Sequence, residues 1–139
     1  TITVVILGVL AAIAISQFGS LMLKSNEAQT KGNLGSLRAA ISIYYGDNDS
    51  FYPSDDLTSL TSDAKYLDKM VAANLPPTTN NVGHGVSSAV TTVNLQTGNP
   101  GDNGGWAYDN TNPEVSSRWG NVVVSCSHQD LQGAVWSMD

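Results

Sequence analysis

No Asp, Glu, Lys, Arg or His occurs in the first 23 residues, TITVVILGVLAAIAISQFGSLML, and every residue from Val4 to Ile15 is Val, Ile, Leu, Ala or Gly. Wound into a helix with a rise of 1.5 Å per residue, residues 1–23 would extend roughly 35 Å, enough to cross a ~30 Å hydrocarbon layer. A secretory signal peptide opens on a basic region and closes on a cleavage site. Neither is present in this stretch, so the run is expected to be a retained membrane segment or a piece of a processed one. Gly8, Ala12, Ser16 and Ser20 recur at every fourth position and lie as a stripe of small residues along one side. Val5, Ile6, Leu7, Val9, Leu10, Ile13, Ile15 and Phe18 cover most of the remaining surface. Small-xxx-small spacing lets helix backbones approach closely in apolar surroundings, which predicts that this helix packs against copies of itself.

The helical pattern does not stop where the charges begin. Leu34, Leu37, Ile41 and Tyr44 follow spacings of three, four and three, those of a single helical face. Lys24, Glu27, Lys31 and Arg38 fall on the other faces. Gly32 and Gly35 each weaken a helix by about 1 kcal/mol relative to Ala, so local softness is expected there. A single helix is therefore predicted from near residue 1 to about Gly46, where Gly-Asp-Asn-Asp ends it. Its 1–23 half is apolar, a membrane anchor or filament core, and its 24–46 half is amphipathic. That second half needs a partner surface, and residues 47–139 are the natural source of one.

These residues carry nearly all the turn punctuation and are expected to form a globular head. Ser54 or Asp55 is placed to cap a short helix through LTSLTSDAKYLDKM, whose Leu57, Leu60, Ala64, Leu67 and Val71 keep helical spacing, with Thr61-Ser62-Asp63 a point where it divides. VSSAVTTVNLQ reads as a strand, followed by strand-like runs at Trp106–Asp109, Asn121–Ser127 and Gly133–Met138. Alternation puts Val122, Val124 and Cys126 on one side. The predicted fold class is α+β: a long N-terminal helix packed on a small C-terminal antiparallel sheet of three or four strands.

Charge narrows the partners. Only 13% of the 139 residues are charged, about half the ~25% usual in soluble domains. The formal net charge is −6, and without a Lys/Arg cluster the chain is a poor partner for phosphate backbones, so no nucleic acid is expected. The single cysteine, Cys126, excludes an internal disulfide and any multi-cysteine metal site.

Taken together these segments resemble the bacterial type IV pilins and their relatives, the major pseudopilins of type II secretion. GVLAAIAISQF at Gly8–Phe18 is similar to the family's leader, which usually carries Pro where this chain has Ser16. It runs without a break into the polar helix NEAQTKGNLGSLRAAISIYY. FYPSDDLTSL…YLDKM resembles the tyrosine–proline stretch and short helix of the compact pilins, and Trp106-Ala107-Tyr108-Asp109 resembles the W-x-Y-D element before the closing strands. The resemblance implies a pilin fold, processing by a prepilin peptidase before an N-methylated Phe, and a Glu within the apolar segment. Neither residue occurs here, and about half a dozen leader residues are expected to precede Thr1. Ser16 in place of Pro removes a helix breaker.

Enzymatic readings find little support. His84 sits in a Gly-flanked loop and His128 in an expected hairpin turn; no G-x-S-x-G elbow and no phosphate-binding G-x-x-x-x-G-K-[ST] loop accompany them. Cys126, mid-strand in an apolar alternation, reads as a buried inert thiol. No cofactor is expected, calcium being the most serious candidate, with Asp47, Asp49, Asp102 and Asp109 as weak candidate ligands and solvated turns as the default; Phe51 interrupts the EF-hand pattern after Asp47-Asn48-Asp49-Ser50. The aromatics Tyr44, Tyr45, Phe51 and Tyr52 read as packing between helix and head, and Asn48-Asp49-Ser50 is a formal glycosylation sequon.

The expectation that follows is a structural subunit of an extracellular type IV pilus, held in the cytoplasmic membrane before assembly and working with the pilus assembly machinery. In the filament its core-packing residues are Val5, Ile6, Leu7, Gly8, Leu10, Ala12, Ile13, Ile15, Ser16, Phe18 and Ser20. The alternatives are a major pseudopilin of a type II secretion system and a monomeric membrane-anchored binding module.

Overall fold

The computed structural model describes residues 2–138. A single helix, α1 (Ile2–Asp47, 46 residues), dominates it. At 1.5 Å per residue it is about 69 Å long, and it passes through Gly32 and Gly35 without interruption. It ends one residue beyond the predicted stop. Asn48 closes the last turn twice, donating its backbone N–H and its side-chain amide to the Tyr44 carbonyl at 3.0 and 2.8 Å. Asp49 and Ser50 then take left-handed backbone conformations (φ 51° and 66°), where a helix cannot continue.

Only the second half of α1 meets the rest of the chain. Leu34, Leu37, Ala40 and Ile41 are buried against Leu57, Leu60, Leu75, Trp106, Tyr108, Val122, Val124, Cys126 and Trp136. The predicted alternation along Val122–Cys126 holds: Val122, Val124 and Cys126 join this core, while Val123 faces a smaller cluster with Leu95 and Ala107.

The sheet is small and in two parts. Strands β1 (Ala73–Leu75) and β2 (His84–Ser87) pair antiparallel. Strands β3 (Val90–Thr92), β4 (Trp106–Tyr108) and β5 (Val122–Val124) form a second sheet in the order β3-β4-β5. Here β4 and β5 are antiparallel, but β3 and β4 are parallel, so the sheet is mixed. Parallel neighbours need a crossover of a dozen or more residues, and residues 93–105 provide it. The 86–96 stretch is thus two short strands belonging to different sheets, not one. The expected helix after Asp55 is one 3₁₀ turn, Thr58–Leu60: its N-cap residue is Leu57, held at φ 70°, not Ser54 or Asp55, although the Asp55 carboxylate accepts from the Leu57 and Ser59 N–H groups at 3.0 and 2.8 Å; the turn ends at Thr61, and Ala64 at φ 51° bars a helix beyond it. The closing Gly133–Met138 run pairs only through the Gln129–Val135 bridge and then turns as a 3₁₀ segment, Trp136–Met138.

Of the charges on the second half of α1, Lys24 faces solvent, whereas Glu27, Lys31 and Arg38 reach the head. Glu27 is 4% exposed and accepts the Leu131 N–H at 3.3 Å. Lys31 bridges Glu27 (3.4 Å) and Asp130 (2.7 Å). Arg38 donates through Nε and NH2 to the Val122 carbonyl at 3.3 and 3.0 Å. These side chains bolt the helix to the head: Glu27 and Lys31 hold the turn at Asp130 and Leu131, and Arg38 meets a β5 carbonyl that needs a polar partner.

Candidate functional site

Residues 2–23 of α1 form the most unusual surface of the molecule. All of them except the half-exposed Leu23 are exposed, and none of the most apolar window is buried by the chain's own atoms. The side chains left open include Ile2 (76%), Val5 (66%), Leu7 (65%), Ile15 (75%) and Phe18 (67%). By length and composition this helix is able to cross a membrane. The two hydroxyls of the small-residue stripe are satisfied within the helix: Ser16 Oγ donates to the Ile13 carbonyl at 2.9 Å and Ser20 Oγ to the Gln17 carbonyl at 3.0 Å. The small-residue stripe therefore presents no unmet hydrogen-bonding demand, and a Cβ built on Gly8 meets nothing within 4 Å. Val5, Ile6, Leu7, Gly8, Leu10, Ala12, Ile13, Ile15, Ser16, Phe18 and Ser20 all lie on this open rod.

The four candidate carboxylates do not converge. Asp47 closes the helix and pairs with Lys65 at 2.9 Å; that ammonium, with the Tyr66 hydroxyl, holds its carboxyl below the usual range against a small burial cost. Asp49 sits two residues later in the left-handed bend. Asp109 is fully buried, and its oxygens are taken up by donors: the Leu95 N–H (2.9 Å), the Thr111 N–H (3.0 Å), the Thr111 hydroxyl and the Ser116 hydroxyl (2.6 Å). Burial pushes its pKa up, but these hydrogen bonds outweigh that and leave it below the ordinary 3.8. Its position is that of a structural pin for the loops around β4, with no room for a cation.

Asp102 has different neighbours. It lies in the β3–β4 crossover beside His84, the first residue of β2, and close to Cys126 and His128, which follow β5. His84 Nε2 is 3.1 Å from Asp102 Oδ1, and His128 Nε2 is 3.6 Å from Oδ2. The imidazoles stack with centroids 5.1 Å apart and planes 18° from parallel. The Ser127 N–H donates to Asp102 Oδ1 at 2.9 Å, and the His128 N–H to Cys126 Sγ at 3.3 Å. The Ser127 N–H does most to hold the Asp102 carboxyl below its usual pKa, with His84 and His128 adding to it against burial. Burial pushes the Cys126 thiol up to about 11, the nearby Asp102 charge adding to the rise against the His128 N–H, so the thiol is no nucleophile at neutral pH. One ligand atom from each of the four residues lies within 4.8 Å of the others.

Read one at a time, His84 belongs to a loop, His128 to a turn, Cys126 to the core and Asp102 to the calcium candidates, and nothing in the sequence announces the convergence of all four. One local signal was available: Cys126 and His128 stand two residues apart, on the same side of an extended segment. Comparison with known proteins returns no match: no family model fits the chain, and no curated protein and no solved structure is significantly similar to it.

Proposed function

We propose that this protein is a non-enzymatic structural subunit that polymerises through residues 2–23 into an extracellular filament of the type IV pilus kind, starting from the membrane. The observation that carries the reading is the open apolar rod joined rigidly to a polar head. Twelve large hydrophobic side chains between Ile2 and Met22 are more than half exposed. At roughly 1.5–3 kcal/mol for each such side chain removed from water, the penalty for leaving them wet is tens of kcal/mol. Monomeric soluble proteins rarely expose contiguous apolar patches of this kind. Lipid covers the rod before assembly and neighbouring rods cover it afterwards, with the small stripe of Gly8, Ala12, Ser16 and Ser20 allowing close approach. Because lipid is already apolar, the net gain on assembly rests on packing. A head-to-tail contact that does not close on itself generates a helical polymer.

The test is a charge placed where it touches nothing in the head. Ile13→Asp is expected to abolish the sedimenting polymer formed when detergent is dialysed away, while the head's unfolding transition stays where it was. Polymer formed by Ile13→Asp as readily as by the parent chain would refute assembly through this helix. A parent chain that remains monomeric after detergent removal would favour the membrane-anchored module instead.

A further inference from the structure

We propose that His84, Asp102, Cys126 and His128 form a tetrahedral zinc(II) site that cross-links the two sheets of the head. The reading does not depend on polymerisation, since all four residues lie in the head and none touches the open half of α1.

The geometry is close to what zinc requires. With Zn–S near 2.3 Å and Zn–N and Zn–O near 2.0–2.2 Å, ligand atoms in a tetrahedral site stand about 3.3–3.8 Å apart. The four atoms already lie within 4.8 Å of one another, so closing the site takes side-chain shifts of about 1 Å. Three of the four side chains keep some exposure to allow this: 18% at His84, 29% at His128 and 44% at Asp102.

The chemistry selects the ion. Calcium and magnesium take oxygen ligands, whereas two imidazoles, a thiolate and a carboxylate are a zinc-type donor set. A divalent ion bound by the Cys126 thiolate and the Asp102 carboxylate leaves a site of zero net charge, and the thiol proton passes to solvent on binding.

One further observation points to a ligand. His128 Nδ1 is buried without a hydrogen-bond partner, and a buried polar atom left unmet is costly in a finished fold. His84 is also held closely by the backbone of the crossover. Gly104 holds φ +78°, and a Cβ there would lie 2.4 Å from His84 Cβ. The Ser127 N–H on Asp102 supplies the kind of orienting contact that metal ligands usually have. Four protein ligands leave no open coordination position, so the site is structural. In a chain with a single cysteine, it ties β2, the crossover and the segment after β5 together as a disulfide would in other small heads.

The experiment uses the full chain in detergent micelles, stripped with chelator and titrated with zinc chloride by calorimetry and with cobalt(II) by absorption spectroscopy. Expected are one zinc per chain with sub-micromolar affinity, a zinc-dependent rise in melting temperature, and a thiolate-to-cobalt charge-transfer band. Cys126→Ser is expected to abolish that band, and His84→Ala and His128→Ala to weaken zinc binding at least tenfold. No saturable binding, or an affinity in all three variants equal to that of the parent chain, would overturn the proposal. Should a variant fail to fold, X-ray absorption of the zinc-loaded parent chain decides: one sulfur near 2.3 Å with nitrogen and oxygen near 2.0–2.2 Å supports the site, and a shell without sulfur refutes it.

Discussion

Thr30 offers the sharpest test of how the helix is joined to the head. It is fully buried on α1, facing the edge of β1 that β2 does not cover. Its hydroxyl donates to the Asn74 carbonyl at 2.7 Å and accepts the Asn74 N–H at 2.8 Å, so one side chain does what a neighbouring strand would do. Thr30→Val keeps the shape and removes the hydroxyl, leaving both Asn74 backbone groups without a partner. At about 1–3 kcal/mol for each unsatisfied group, discounted because Asn74 is half-buried, the cost is about 2–4 kcal/mol. Thr30→Ser keeps the hydroxyl and loses one methyl, about 1 kcal/mol. Trp106 and Trp136, 0% and 2% exposed, report unfolding of the head by fluorescence. Guanidinium titration in non-ionic micelles should therefore rank the parent above Thr30→Ser and Thr30→Ser well above Thr30→Val. A valine variant as stable as the serine variant would refute the claim that this hydroxyl closes the β1 edge.

Two other outcomes follow from the same reasoning. Asp109→Asn replaces a carboxylate that accepts four hydrogen bonds by an amide with one acceptor oxygen, at a cost of about 1.5–3 kcal/mol at neutral pH in denaturant unfolding. Since the folded carboxyl titrates below the ordinary 3.8, its contribution is complete above that value and is lost as the pH falls through the lower folded pKa; the gap between parent and variant should narrow only under strong acid, and a gap that narrows between pH 8 and 6 would contradict this. Gly104→Ala meets a left-handed backbone and His84 Cβ at once, so a loss above about 2 kcal/mol in thermal unfolding is expected, and an unchanged melting temperature would show that the loop simply moves aside.

The long helix is written plainly in the chain, because a charge-free run joined without turn residues to a three-and-four pattern has few other ways to fold. The core face at Leu34, Leu37 and Ile41 and the alternation of Val122, Val124 and Cys126 were legible for the same reason: local periodicity reports burial directly. The parallel pairing of β3 with β4 was not, since it depends on the path of the 93–105 crossover and on no local pattern. Nor was the polar bolt between Lys31 and Asp130, whose residues are far apart in sequence and individually look like solvated charges. The helix expected after Asp55 shrank to one turn: Leu57 and Ala64 both take left-handed backbones, which no propensity foretells, and the turn ends at Thr61, in the Thr61-Ser62-Asp63 stretch already read as a point of division. The His84–Asp102–Cys126–His128 cluster has no single spacing that reveals it, because three separate segments deliver it.

Whether the open half of α1 is an assembly surface is measured directly by helical reconstruction from cryo-electron micrographs of detergent-free material. Expected are filaments whose residues 2–23 lie at the centre, with helix axes about 8–10 Å apart and heads outside. Single detergent-free molecules, or polymers joined through the heads with the helices pointing outward, would contradict assembly through this half of α1.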